Sequence, residues 1–284
     1  MEWLERLNMA MDYIEGGLKD GFNVDEAARI ACCSSFHFQR MFSYIAGLPL
    51  SEYVRRRRMS AAAFGLQQGM KVIDLAVTYG YDSPTAFSRA FRSVHGVSPS
   101  QARRQGVPLK AYPRLSFTIT IKGDTEMNYS IEEREAFRIV GAKAHFDMSV
   151  EESFAKVPQF WAQTTQSGLA AAICALPAKE PCGLLGVSTC MNGRDFDYYI
   201  AVATDAPVSE SMEAYTVPAA TWAIFECVGP MPQAIQQLQT RVVSEWLPAS
   251  GYEYADAPDI EVYTQGDTQS PDYRCEVWLP VRKA

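Results

Sequence analysis

The amino-terminal third of the chain contains one pattern written twice. Val24-Asp25-Glu26-Ala27-Ala28 aligns with Val72-Ile73-Asp74-Leu75-Ala76. With one inserted residue, Phe38-Gln39-Arg40-Met41-Phe42 then falls on Phe87-Ser88-Arg89-Ala90-Phe91, and Gly47 on Gly96. Repetition on this scale means two copies of one small supersecondary unit. Each copy reads as a short helix with small apolar residues, a turn, a polar helix start, an F-x-R-x-F segment and a terminating Gly. Phenylalanines four apart share a helix face, whereas the Arg between them lies about 200° round, at about 100° per residue. The Phe pair is therefore expected in the core and the Arg toward solvent or a ligand. A short helix, a tight turn and a second amphipathic helix make a helix-turn-helix unit. Ser34 or Ser35 is placed to cap the second helix of the first copy, and Asp82 or Ser83 that of the second.

The outward side chains of the two reading helices are expected to be Ser35, Phe36, Gln39 and Arg40, and Pro84, Thr85, Ser88 and Arg89. Gln suits the N6/N7 edge of adenine and Arg the O6/N7 edge of guanine, each through two hydrogen bonds in the major groove. A plain helical bundle with solvated polar faces is the competing reading of any one such helix. Two copies with matched arginines favour DNA readers. The run Arg55-Arg56-Arg57-Arg58 continues a helix from about Leu50 to Gln68, so its four side chains point in four directions. One or two are expected on phosphate or a neighbouring helix and the others in solvent.

Charge divides the chain in the same place. Residues 1–110 hold fourteen Lys and Arg against ten Asp and Glu; the remainder holds twelve against 23, within a total of −7. A basic part joined to an acidic part suggests a polyanion partner for the first and a different partner for the second. No apolar run spans a bilayer and the amino terminus has no signal-like segment, so a cytoplasmic protein without a membrane partner is expected. The seven cysteines supply no C-x-x-C pair, and beside only three histidines they read as small buried hydrophobes, with no metal site or cofactor implied.

After Gly106 the chain turns to Pro108, Pro113, an alternating LSFTITI and a hairpin-like Gly123-Asp124. This places an amino-terminal domain at 1–108, a linker and hairpin at 109–126, and a second domain at 127–284. In the second domain strands are expected near 127–146, 183–190, 195–204, 219–228, 258–264 and 273–281, with helices near 150–167 and 231–247. The order strand-helix-strand-strand then occurs twice. The fold class expected is an all-α double helix-turn-helix domain followed by an α+β domain of two such repeats. Its sheet would have helices behind it and a cleft on the open face. Alternation puts Ile260 and Val262 with Cys275, Val277 and Leu279 toward the helices. The same reading puts Glu261 with Tyr263 and Glu276 with Trp278 on the open face. Acid beside aromatic can hold an organic cation, although carboxylates on a sheet face are also commonly just solvated. Tyr198 and Trp222 complete the candidate set.

Two stretches resemble the DNA-binding domain of the AraC/XylS family: VDEAARIACCSSFHFQRMFSYIAGLPLSEYVRRRRMSAAAFGL, and VIDLAVTYGYDSPTAFSRAFRSVHGVSPSQAR with its G-x-S-P-S-x-x-R ending. The resemblance implies seven helices in two helix-turn-helix subdomains joined by a long helix, and promoter DNA read in successive major-groove segments. RNA polymerase is then an expected second partner. From about Met127 to Lys283, YSIEEREAFRIVGAKAHF, CGLLGVS, IEVY and CEVWLPV are similar to GyrI-like effector-binding domains. That resemblance implies a cleft for small, often lipophilic and cationic molecules, in which a glutamate, Glu276 or Glu261, meets aromatics. The function expected is a ligand-responsive transcription regulator. The alternative is a hydrolase in which Glu276 or Glu261 acts as general base and Tyr198 as proton donor.

Overall fold

A computed structural model describes residues 3–104, 106–117, 126–147, 150–190 and 195–283. The expected hairpin at Gly123-Asp124, and LSFTITI beyond Phe117, lie outside the described residues. By their contacts the residues form two units, Met1–Ala31 with Ala46–Thr118, and Cys32–Ile45 with Ile119–Ala284.

The first unit is helical: α1 (Trp3–Gly16), α2 (Val24–Ile30), α4 (Leu50–Gln67), α5 (Val72–Thr78), α6 (Pro84–His95) and α7 (Pro99–Ala102). The repeated pattern is repeated structure. α2 and α5 each have seven residues. α6 and α3 (Ser35–Ala46, which belongs to the second unit as far as Ile45) each have twelve. Both longer helices stop at a left-handed glycine, Gly47 at φ 68° and Gly96 at φ 79°. A side chain would strain that conformation, which is why the same residue ends both copies. Phe87 and Phe91 are fully buried with Met59, Leu66 and Leu75. Ser83 caps α6 by accepting from the Ala86 amide at 3.1 Å. Ser83→Ala is expected to cost this unit about 1 kcal/mol in denaturant unfolding; no loss would mean that the cap is redundant.

The arginine run is structural. Arg57 grips the Glu15 carboxylate at 2.7 Å and the Tyr112 carbonyl at 2.6 Å, and Arg58 donates to the Leu18 carbonyl at 2.9 Å. Arg56 bonds Glu52 at 2.5 Å with its guanidinium 5.1 Å from the Tyr112 ring, and Arg55 pairs with the same Glu52. Arg57 and Arg58 tie α4 to α1 and the turn after it, the neighbouring-helix role expected for one or two of the four, while exposed Arg55 and half-buried Arg56 pair with Glu52 within α4. Helix spacing accounts for Glu52, three and four residues before Arg55 and Arg56, but does not reveal that Glu15 and Tyr112 converge on Arg57.

The second unit joins α3 to β1 (Tyr129–Arg134), β2 (Phe137–Asp147), α8 (Val150–Gln166), α9 (Leu169–Cys174), β3 (Leu184–Cys190) and β4 (Asp195–Ala203). There follow β5 (Glu213–Val217), β6 (Ala220–Val228), α10 (Gln233–Arg241), a π turn (Val242–Trp246), α11 (Leu247–Ser250), β7 (Tyr252–Tyr254), β8 (Asp259–Tyr263) and β9 (Arg274–Lys283). The strand expected at 127–146 is two strands broken at Glu135-Ala136, and β5, β7 and α9 add to the expected set. The sheet runs β1-β6-β9-β8-β3-β4-β2-β5, with β7 on β9, and every pairing is antiparallel.

This sheet is strongly curled. β2 and β6 stand five steps apart in the order, about 24 Å in a flat sheet. Yet the Phe137 and Trp222 rings are 6.5 Å apart. Curling closes one face on itself into a core of Trp222, Trp278, Ile139, Tyr199, Ile260 and Val262. The other face carries the helices: Phe146 and Phe196 pack with Phe160 and Trp161 of α8, and Val140 and Val202 with Ile173 of α9.

Cross-strand register corrects one expectation. Ile260 opposes Trp278, Glu261 opposes Val277 and Val262 opposes Glu276. Directly opposed residues share a face. Glu276 and Trp278 therefore lie with Ile260 and Val262 in the closed core face, and Glu261 and Tyr263 lie opposite, with Val277. Period-two alternation fixes faces within one strand; only register relates two strands, and a shift of one residue inverts that relation.

Candidate functional site

The two middle strands, β8 and β3, are where the helix-bearing face lies uncovered between α8 and α10. Above them is a cavity of about 890 Å³, within the range usual for small-molecule sites. The sequence placed a cleft on the helix-free face; here it opens between the helices, because the helix-free face has curled shut. Its walls are Trp161 and Pro158 of α8, Ile235 and Gln239 of α10, Tyr198 and Phe196 of β4, Tyr263 and Glu261 of β8, and Phe36, Gln39, Arg40 and Tyr44 of α3.

Glu261 is the hub. Its Oε2 accepts from the Tyr198 hydroxyl at 3.2 Å and the Tyr263 hydroxyl at 2.9 Å, and its Oε1 from the Gln239 amide at 2.7 Å. Trp161 Nε1 donates in turn to the Tyr198 oxygen at 3.0 Å, and the Trp161 and Tyr263 rings meet edge to face at 5.2 Å. Burial, then the charge of Glu261, pushes both tyrosines well above the usual phenol range, so they keep their protons and act as donors. Gly186 on β3 makes this approach possible: a Cβ there would stand 2.2 Å from the Tyr198 oxygen and 3.0 Å from Glu261 Oε2. In the sequence, Gly186 stands within CGLLGVS, and a glycine inside a strand is the signal of such a close approach.

A second carboxylate lies beside the first. Asp259 Oδ2 is 3.0 Å from Arg40 Nη1, and Glu261 Oε1 is 3.8 Å from Arg40 Nη2. The same guanidinium donates to Ser188 at 3.3 Å and lies 5.8 Å and 5.6 Å from the Phe36 and Tyr44 rings. Burial opposes charge at Asp259, but Arg40 and His37 more than offset it and hold the carboxyl below its ordinary range. Burial likewise opposes the charge of Arg40, and Tyr44, Asp259 and Glu261 outweigh it, so the cation is retained.

Of the candidate effector residues, Glu261, Tyr263 and Tyr198 come together at this cavity. Glu276, Trp278 and Trp222 do not: Glu276 accepts from Trp278 Nε1 at 2.7 Å, Arg134 stands 5.4 Å from the Trp278 ring, and Trp222 is fully buried. Of the candidate DNA residues, Pro84, Thr85 and Arg89 are exposed and Ser88 is half-buried. Ser35 and Phe36 are buried, against the expectation of an outward face, because Phe36 packs on Phe196 with centroids 5.3 Å apart. Gln39 and Arg40 are half-buried at the cavity wall. Asp259 and Gln239 were not anticipated. Asp259 lies two residues before Glu261 on one strand and so shares its face, which the sequence could have shown. Of the cysteines, Cys227 and Cys275 are buried, Cys32 and Cys33 half-buried, and Cys174 and Cys182 exposed, so burial holds for only some of them. Among the described residues no cluster of His, Cys, Asp and Glu is arranged to hold a metal ion, and no helix is long and apolar enough to cross a membrane.

Residues 127–282 match the GyrI-like small molecule binding domain, and residues 27–105 match a helix-turn-helix domain. The chain is 41% identical over 92 residues to the HTH-type transcriptional activator AarP of Providencia stuartii, covering 32% of this chain and 68% of that one. To the transcriptional regulator Rob of Salmonella typhimurium it is 34% identical over 93 residues, 32% of either chain. Among solved structures, that of SAV2435 bound to tetraphenylphosphonium aligns with a TM-score of 0.51 at 26% identity, over 55% of this chain and 94% of that one.

Proposed function

Because the chain belongs to the family of the GyrI-like small molecule binding domain, with an AraC-type helix-turn-helix domain ahead of it, we propose that it is a transcription regulator responding to an organic cation. One observation carries the choice of ligand class: the Glu261 carboxylate faces a cavity of about 890 Å³ whose other walls are largely aromatic and aliphatic. A half-buried carboxylate favours a compensating positive charge, and ring faces stabilise the same charge while taking up an apolar body. SAV2435, of similar fold, was solved with a ligand of this chemistry.

The sheet order supports a duplicated domain. Exchanging β1, β2, β3 and β4 with β5, β6, β8 and β9 reproduces the order read from its other end. The cavity would then sit where the two halves meet, at the β3–β8 pair. The helix-turn-helix part supports double-stranded promoter DNA as partner, with the exposed face of α6 as one reader and RNA polymerase recruited at the promoter. A hydrolase with Glu261 as base and Tyr198 as acid has less support, since the Tyr198 proton is already donated to that same carboxylate.

Calorimetry with tetraphenylphosphonium and with neutral triphenylphosphine oxide tests the ligand class. Glu261→Gln keeps the shape and removes the charge, and it is expected to weaken the cation about tenfold, or about 1.4 kcal/mol, and the neutral compound little. Equal losses for both compounds, or none for either, would contradict the reading.

A further inference from the structure

The cavity already holds a cation of the chain's own making. Arg40 reaches from α3 between Asp259, at 3.0 Å, and Glu261, at 3.8 Å. Its guanidinium lies near the Phe36 and Tyr44 rings. Carboxylates on one side and ring faces on the other are the surroundings that a lipophilic cation would seek. Around this contact the helix is held by direct bonds to the same unit. The Tyr44 hydroxyl donates to Gln239 at 2.7 Å, His37 stacks on Tyr254 at 4.2 Å with Nε2 3.5 Å from Asp259, and Phe36 enters the Phe146–Phe196 cluster. On the equivalent helix of the second copy, α6, Pro84, Thr85 and Arg89 are exposed and, of the four candidate readers, only Ser88 is half-buried. Two helices of one design and equal length therefore present opposite states of the same face.

We infer that α3, through Arg40, is the intramolecular occupant of the effector cavity, and that a bound organic cation displaces it and frees the first reading face for DNA. The inference rests on the cation-binding reading of this cavity. Arg40 and the effector contend for one carboxylate, Glu261, and the tether gives α3 a high effective concentration there. The effector must supply the free energy that docked α3 now supplies, so apparent affinity is lowered by the docked fraction. Linkage makes the effect reciprocal: DNA that captures α3 raises cation affinity by the same factor.

Amide hydrogen exchange on the full chain tests this, read at Phe38–Ala46 against the strands β3 and β9. Saturating tetraphenylphosphonium, with binding verified by calorimetry, is expected to speed exchange at α3 about tenfold while the strands stay protected. If that cation does not bind, the reading of the cavity fails, and docking is judged without ligand from Asp259→Asn, which removes the charge facing Arg40. That variant is expected to show the same rise, about tenfold, confined to α3. Should Asp259→Asn lose the fold, Tyr44→Phe, which removes the hydroxyl that donates to Gln239 and accepts from Arg40 Nε, is expected to give a rise of about threefold at α3. Exchange at α3 left unchanged or slowed by bound cation overturns the proposal, as does unchanged exchange in a folded variant.

Discussion

Trp222→Ala is expected to destabilise the second unit by about 3–5 kcal/mol, the largest effect of any single substitution considered for this chain. The side chain is fully buried, its ring centroid is 6.1 Å from that of Trp278 and 6.5 Å from that of Phe137, and Nε1 donates to the Pro258 carbonyl at 3.3 Å. Those partners come from β9, β2 and the segment before β8, so the indole fastens the curl that brings distant strands together. Truncation leaves a void between strands that hydrogen bonding holds in register, and such a site collapses poorly. Denaturant unfolding followed by exchange at β6 and β9 amides would read the loss. A change below about 1 kcal/mol would mean that Trp222 lies at a yielding site and that the closed core face does not hold the curl. The variant that remains folded is expected to bind tetraphenylphosphonium unchanged, because Trp222 does not line the cavity.

Arg89→Ala is expected to weaken specific duplex binding by about 1–3 kcal/mol and to relax preference at one or two base pairs. Arg89 is exposed on α6, opposite the Phe87 and Phe91 face that anchors the helix in its unit. A bidentate guanidinium contact to a guanine edge cannot be replaced by solvent in the wrong sequence, which is why loss of affinity and loss of preference should travel together. Competition binding on sites selected from a random duplex pool measures both. A uniform loss across all sequences with a shallower salt dependence would make Arg89 a phosphate contact. Unchanged binding would remove α6 as a reader.

The helical half was largely legible because its information is local. The Phe pairs, the Ser83 cap and the glycines at 47 and 96 act within one turn of where they stand, and the duplication doubled each signal. What stayed hidden was pairing across the chain. Glu15 and Tyr112 claim Arg57 from opposite ends of the first unit, and no spacing rule announces that. The sheet repeats the lesson. Each strand's alternation was right by itself, yet Glu276 was assigned to the cavity face because β8 and β9 pair in a register that periodicity does not contain. Trp222 and Trp278 were assigned to a ligand for a related reason: in a flat sheet their face would be open, and only the curl makes it core. Arg40 was expected toward solvent or a ligand, as a reader of DNA; that it meets a pair of carboxylates in its own chain follows from charge and distance, not from sequence position.

The central claim is that Glu261, on the helix-bearing face, marks an organic-cation site. Crystallography of the full chain with tetraphenylphosphonium tests it most directly. The account predicts the phosphonium in the cavity, its phenyl groups against the Trp161 and Tyr263 rings and its charge toward the Glu261 carboxylate. A cation seated instead between Glu276 and Trp278, or nowhere in the cavity at saturating concentration, would contradict it.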